Sequence, residues 1–455
     1  MTMIAAKQAL TPDGWRKDVV VDIGDDGRIS SIDARSCDAD HTVGVLLPAL
    51  SNLHSHSFQR AMAGLAERRG PNAHDDFWTW RKVMYRFLEV LSPDDIGDIA
   101  ALVQMEMLEA GYAAQAEFHY VHHGQNGAHY AQIDETAQRH IEAAKLTGIG
   151  YTHLPVLYMQ GGLDGRALEG GQRRFGCSLD DFSALYDANK LSLIGAPDDY
   201  RLGVAPHSLR AVTKAGLEAS ADFAPDGPIH IHAAEQLGEV RDVQEALGAR
   251  PVRWLLDNLP VDNRWCLIHA THLDEAEVDD FAASKAVAGL CPITEANLGD
   301  GIFNASRFME ADGAIGVGSD SNVKIALSEE LRMLEVSQRL RDKRRVVLTS
   351  EKTPSNGRLL YEKAALGGAQ ALGRDSGAIK VGAFADLVAL DDEHIAIAGL
   401  EDDFILDSWI FVCTDDLVSD VWSAGRHVVR QGRHIAHDAI TETYKKTIKR
   451  LRQDL

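Results

Sequence analysis

The chain has 455 residues, and 46 Lys and Arg against 68 Asp and Glu leave a formal charge of −22. Hydrophobic residues make up 45% of it, enough for a large core and too much for a disordered chain. So acidic a chain is unsuited to nucleic acid or an anionic membrane as its main partner, because both reward a basic surface. No apolar run approaches the roughly 18 residues of a membrane span.

In chain order, the opening residues lack the basic-then-apolar layout of a signal peptide. Residues 1–45 read as short strands. Val19–Ile23, the turn Gly24–Gly27 and Arg28–Ile32 make a hairpin. The same texture returns over residues 376–437, in Gly377–Leu390 and Val421–Ile435, so the two ends are read as halves of one small β-sandwich domain. Between them, over residues 46–375, short β-runs alternate with longer helical patterns, the signature of βα units around a parallel sheet. Eight strands fall near residues 45–53, 112–118, 150–157, 201–206, 229–233, 265–270, 286–291 and 314–319, which predicts a (β/α)8 TIM-like barrel. Residues 438–455 read as a C-terminal helix at the contact of a homodimer. The five cysteines, Cys37, Cys177, Cys266, Cys291 and Cys413, are scattered without a CxxC pair, as in a reducing cytoplasm.

The histidines fall where these strands end. His54 and His56 close the first, and residues at i and i+2 share one face of a strand. The fifth ends in His230-Ile231-His232 with Glu235 three residues on, the sixth in His269, the eighth in Asp320. Catalytic groups of barrels sit at strand C-termini, on one rim. Three imidazoles and a carboxylate there suit a divalent transition ion with water in an open position. His230 shares a face with His232 and is its rival on geometry. The run His119-Tyr120-Val121-His122-His123 has the look of a second cluster but lacks a suitably spaced carboxylate or cysteine, and Glu117 reads as a supporting residue.

This set and its order resemble the amidohydrolase superfamily over the whole chain, the split β-domain included. The resemblance implies metal ligands His54, His56, His232 and Asp320, with His269 hydrogen-bonding water or substrate and Glu235 shuttling protons. The HxxE at His232 and Glu235 marks the deaminase branch, which holds one divalent metal, usually zinc and sometimes iron; the donor types also admit nickel. Such a site calls for hydrolytic deamination or deimination: Glu235 protonates the substrate nitrogen, and Asp320 passes the water's proton to departing ammonia.

Longer tracts narrow the substrate. Asn52–Leu65, Asp76–Arg81, Ala116–His123, Ala205–Val212 and Thr294–Phe303 are similar to the formimino-glutamate deiminases. A small dicarboxylate carrying a formimino group needs planar arginine forks, and Arg81 and Arg210 are placed to supply them. The resemblance implies that Arg210, with Arg81, Gln59 and Tyr120, binds the carboxylate end and that His207 contacts substrate nearby, whereas Trp78 and Trp80 read as packing. The competing readings are a nucleobase deaminase or chlorohydrolase, a deiminase of formimino-aspartate, and a non-catalytic ligand-binding barrel, for which a proton shuttle has no use.

Overall fold

The computed structural model describes residues 2–34, 39–67 and 77–453, apart from the side chains of residues 77–79, 81 and 82. Eight parallel strands form the barrel: Leu50–Ser55, Tyr112–His119, Gly150–Leu157, a fourth split into Arg201–Leu202 and Ala205–Pro206, then Ile229–Ala233, Trp265–His269, Val287–Leu290 and Ala314–Val317. The second and third are buried along their whole length, as strands covered on both faces must be. Isolated bridges join the two arcs: Val204 to Ile229 and Ser208 to His232 on one side, and Ser55 to Asp320 on the other.

The two chain ends form one eight-stranded sheet in the order Arg433–His434, Arg426–Arg430, Val418–Ser423, Leu387–Leu390, His41–Pro48, Thr2–Thr11, Gly14–Ile23, Ile29–Ala34. The sheet folds back on itself into a sandwich-like layer. Its Gly24–Gly27 turn reaches the opposite end, where Ile29 N donates to Ala383 O and Ala385 N to Gly27 O, both at 2.9 Å. Gly27 has φ +74°, and a Cβ there would stand 2.3 Å from Ala424 O, so only glycine fits. Val21, Ile23, Leu46, Leu387 and Trp422 share the enclosed core.

Two expected strands differ in extent. The run near 45–53 serves both sheets: His41–Pro48 pairs with the chain ends and Leu50–Ser55 with the barrel. Pro48 has no N–H to extend a ladder, and Ala49 N turns aside to Asp386 O at 2.9 Å. The crossing therefore lies a few residues beyond the expected 45/46 boundary. In Gly377–Leu390 only Leu387–Leu390 is strand, because Gly377 and Gly382 adopt φ of +82° and +89°. A helix, His437–Leu451, closes the chain, and among the described residues no helix is long and apolar enough to cross a membrane.

A buried ion cluster ties the end sheet to the barrel. Arg374 Nε meets Asp386 Oδ2 at 2.6 Å and its Nη2 meets Asp199 Oδ2 at 3.0 Å, while Arg426 reaches Asp199 at 2.7 Å. Removing one member strands the others as uncompensated buried charge, which costs about 3–5 kcal/mol. Arg374→Met is therefore expected to lower stability by that amount in chemical denaturation, and an unshifted midpoint would show that the cluster does not hold the two parts together.

A second polar layer lies between the barrel and the helix Glu135–Thr147. There His119, His140 and His153 pack ring against ring near Glu117, with His122 at the edge. Burial lowers His122 and His140 to about 3. Above pH 6.5 these two are neutral in both folded and unfolded chains and add nothing; below it the unfolded chain takes up protons that the folded one refuses down to about pH 3. Stability is expected to fall by roughly 2–3 kcal/mol between pH 7 and pH 5.5 from these two groups alone. His140→Gln should remove about half of that loss. Equal denaturation midpoints of the parent at the two pH values would contradict this.

Candidate active site

The barrel's closing seam builds the site. Asp320 N donates to His54 O and His56 N donates to Asp320 O, both at 2.9 Å, so the end of the first strand is locked to the turn after the eighth. Asn52, Ser319, Asn322 and Ser55 continue the lock through side chains, with Asn52 Nδ2 donating to Ser319 Oγ at 2.8 Å and Asn322 Nδ2 to Ser55 Oγ at 3.1 Å. Gly318 is required because a Cβ would come within 2.8 Å of three His54 atoms. Beyond the strand ends the backbone is bent into the left-handed region at Ala234, His269, Ala270, Asp320 and Asn322, with φ from 45° to 69°. Non-glycine residues hold that region at a cost, and it recurs where side chains must be aimed.

The structure brings His54, His56, His232 and Asp320 together. His54 Nε2 stands 3.1 Å from His232 Nε2 and 3.5 Å from Asp320 Oδ1, and His56 Nε2 stands 3.4 Å from the same oxygen. His56 Nδ1 donates to Phe118 O and His232 Nδ1 to His207 O, each at 3.1 Å. A carbonyl can only accept, so both rings carry the proton on Nδ1 and turn a bare Nε2 inward. Burial keeps all three histidines below their ordinary range and therefore neutral.

Three neutral rings and a carboxylate turned onto one point offer a cation a ready set of donors. Tetrahedral ligands at about 2.0–2.2 Å from one centre lie about 3.3–3.6 Å apart; the 3.4 and 3.5 Å spacings to Asp320 fall in that range and the 3.1 Å between His54 and His232 just below it. The residues therefore fit a divalent ion of the zinc type. His230 does not join them: its Nε2 bonds Ala371 O at 2.7 Å. Nor do the histidines after the second strand, where His119 bonds Thr136, His122 Val156 O and His123 Gly176 O. Among the described residues the other convergent donor set is His269, Cys291 and Glu295, which hydrogen bonds already explain.

His269 lies between the acids. Its Nε2 is 3.8 Å from Asp320 Oδ2 and 3.9 Å from Glu235 Oε1, and its Nδ1 is 3.2 Å from Glu295 Oε1. Burial opposes charge on this ring, but Glu235, Glu295 and Asp320 outweigh it and push it up to about 10. Burial raises Glu235, against the pull of His269 and Arg210. Asp300, deep beside them, is raised by burial and then by Glu235 to about 9, and accepts a hydrogen bond from Gln236.

A cavity of about 510 Å³ opens above this floor. Gln59, Tyr120, His207 and Arg210, the residues that the resemblance assigns to substrate, line it. Gln59 Nε2 donates to Tyr120 OH at 2.9 Å, and the His207 carbonyl doubles as the anchor of His232. Burial works against the Arg210 charge, and the neighbouring Glu239 and Glu235 more than restore it. Arg81 and Trp78 stand on the helix Phe77–Leu88, but their side chains lie outside the described residues. Trp80, expected as packing, lines the cavity.

Sequence reasoning missed Met84, Tyr85, Tyr158 and Phe175 in the cavity wall and Glu295 behind His269. Tyr158 follows the third strand directly, so the strand-end rule that located the histidines applies to it as well. Glu295 stood within a flagged tract without a role. Nothing local distinguishes Met84 and Tyr85 from other helix residues.

Residues 45–428 match the Amidohydrolase family, and residues 1–41 match the N-terminal domain of formimidoylglutamate deiminase HutF. The chain is similar to the formimidoylglutamate deiminase of Pseudomonas aeruginosa, at 48% identity over 96% of this chain and 97% of that one. It superposes on a crystal structure of an amidohydrolase from Brucella melitensis with a TM-score of 0.95, at 45% identity over 99% of this chain and 100% of the other. An adenosine deaminase from Xanthomonas campestris with bound zinc shares the fold, with a TM-score of 0.82 at 23% identity, over 99% of this chain and 98% of that one.

Proposed function

The chain belongs to the amidohydrolase family, and on that footing we propose that it hydrolyses N-formimino-L-glutamate to N-formyl-L-glutamate and ammonia, a step of histidine degradation. The observation that carries this reading is one cavity lined by His56, His232 and Asp320 with His54 directly behind them, a buried acid at Glu235 and a guanidinium at Arg210, in a chain nearly half identical to the Pseudomonas aeruginosa enzyme. His54, His56, His232 and Asp320 would hold the ion, with zinc the first expectation from the donor types. When bound, that ion supplies Lewis acidity and a nucleophilic water at neutral pH.

The chain's own groups do the rest. Arg210, with Arg81, Gln59 and Tyr120, holds the carboxylate end, and His207 closes the wall beside it, so the formimino carbon is delivered to the floor of the cavity. Burial favours protonated Glu235, which donates to the imino nitrogen and makes the carbon electrophilic. The His269 Nε2–H faces the reacting oxygen while Glu295 fixes the other side of the ring. Asp320 Oδ2, close to His269, accepts one of the water's protons and returns it to the departing nitrogen; as the C–N bond breaks and ammonia leaves, the remaining hydroxyl proton goes back to Glu235 and the formyl C=O forms. The buried free cysteines Cys177, Cys266 and Cys291 accord with a cytoplasmic location.

The test is ammonia release by the metal-loaded protein from formimino-glutamate, set against formimino-aspartate, guanine, adenosine and cytosine. Turnover of formimino-glutamate is expected, and release from a nucleobase alone would overturn the reading. Arg210→Met should raise KM about 10- to 100-fold, the worth of one charge-assisted carboxylate contact. An unchanged KM would remove Arg210 from the carboxylate site.

A further inference from the structure

Arg174 is 2% exposed, yet among the described residues no carboxylate lies within ion-pair distance of it. Its four hydrogen bonds to described residues all go to neutral oxygens. Nε donates to His123 O at 2.8 Å, Nη1 to Leu88 O, and Nη2 to Leu91 O and to Tyr130 OH, each at 3.2 Å. The contrast is Arg374, equally buried but bonded to two aspartates. A buried cation without an anion is costly, so the position demands a reason for keeping it.

The partners supply one. Leu88 is the last residue of the helix Phe77–Leu88, where carbonyls lack intrahelical donors and the helix dipole presents its negative end. His123 ends the segment that carries Tyr120, and that segment's His122 N and His123 N donate back to Arg174 O at 2.9 and 3.0 Å. Arg174 thus cross-links three stretches, each of which supplies cavity wall. The helix supplies Trp80, Met84 and Tyr85, the segment before His123 supplies Tyr120, and the next residue is Phe175. Nearby Gly171 lets Tyr85 pack flush, since a Cβ there would stand 2.7 Å from the ring. Met84 Sδ in turn meets Gln59 Nε2 at 3.9 Å and Tyr120 OH at 3.7 Å.

We propose that Arg174 is a positioning residue that caps the helix Phe77–Leu88, holds it against the cavity, and so sets the affinity for the carboxylate end of the substrate. The proposal rests on the deiminase reading for its kinetic consequence but not for its structural one. Arg174 itself touches none of His54, His56, His232, Asp320 and Glu235, and of the wall residues on these three stretches it is Tyr120 that meets that set, edge-on against His56 at 4.9 Å, so the main effect falls on binding.

The experiment uses the metal-loaded full chain, Arg174→Lys and Tyr130→Phe, with formimino-glutamate as substrate and amide hydrogen exchange as a second readout. A lysine keeps the charge but loses the fork. Expected for R174K is a KM raised about 10- to 100-fold with kcat near the parent value, together with faster exchange confined to the Phe77–Leu88 helix. Y130F should shift both in the same direction by less. A folded R174K with parental KM and exchange overturns the proposal, as does a loss in kcat alone. Should R174K fail to fold, Y130F with unchanged KM and exchange overturns it. If the parent itself does not turn over formimino-glutamate, the substrate reading fails, and exchange at the helix still decides the role of Arg174.

Discussion

Glu235→Gln is expected to lower kcat for ammonia release by about 10²- to 10⁴-fold, the usual worth of a general acid, with little change in KM. The substitution keeps volume and planarity, and the Glu235 backbone N–H to Glu239 Oε2 bond at 3.0 Å is untouched. What is lost is the proton. Burial favours the protonated acid in this place, whereas an amide at the same position cannot give a proton up. A variant with parental kcat would move the role elsewhere, and Asp300, held protonated to about pH 9, would be next to test.

Removing the ion should have a comparable effect on rate and an added effect on stability. Dialysis against a chelator is expected to take ammonia release to background, and stoichiometric zinc should restore it. The three histidine nitrogens lie within 4.8 Å of one another, and Asp320 Oδ1 stands 3.5 and 3.4 Å from His54 and His56, so the ion favours the folded chain and its loss should lower the melting temperature. At a free ion concentration 100 times its Kd the contribution is about 2.7 kcal/mol. Full activity in protein shown by metal analysis to be empty would rule out the ion's part in the reaction.

Local sequence carried much of this site because its chemistry is written at strand ends. An HxH pair declares its face through the two-residue period, and His269 and Asp320 are legible because each closes a short apolar run. The same local reading could not place Arg174, whose partners are backbone carbonyls with no side-chain signature. It could not separate His230 from His232 either, since the period is the same for both and only the carbonyl of Ala371, reached through the fold, claims His230. The apolar run at 45–53 showed its burial but not which of two sheets buried it, because a residue's hydrophobicity does not name its neighbour. Trp80 reads as packing from its aromatic side chain alone, and only the helix that carries it shows that it faces the cavity.

In the end sheet, Leu46 of the strand His41–Pro48 pairs with Ala389 of Leu387–Leu390, partners more than 300 residues apart. On a ribosome adding about 5–20 residues per second, the apolar face of the N-terminal strands waits roughly 20–70 s for the strand that covers it. The barrel can begin to form meanwhile, but its seam at His54 and Asp320 stays open for most of that time. The nascent chain therefore carries an uncovered sheet and an incomplete ligand set through most of its synthesis. Holdase chaperones would act during that interval, and truncations that spare every catalytic residue but remove Leu387–Leu390 should yield aggregated rather than merely inactive protein.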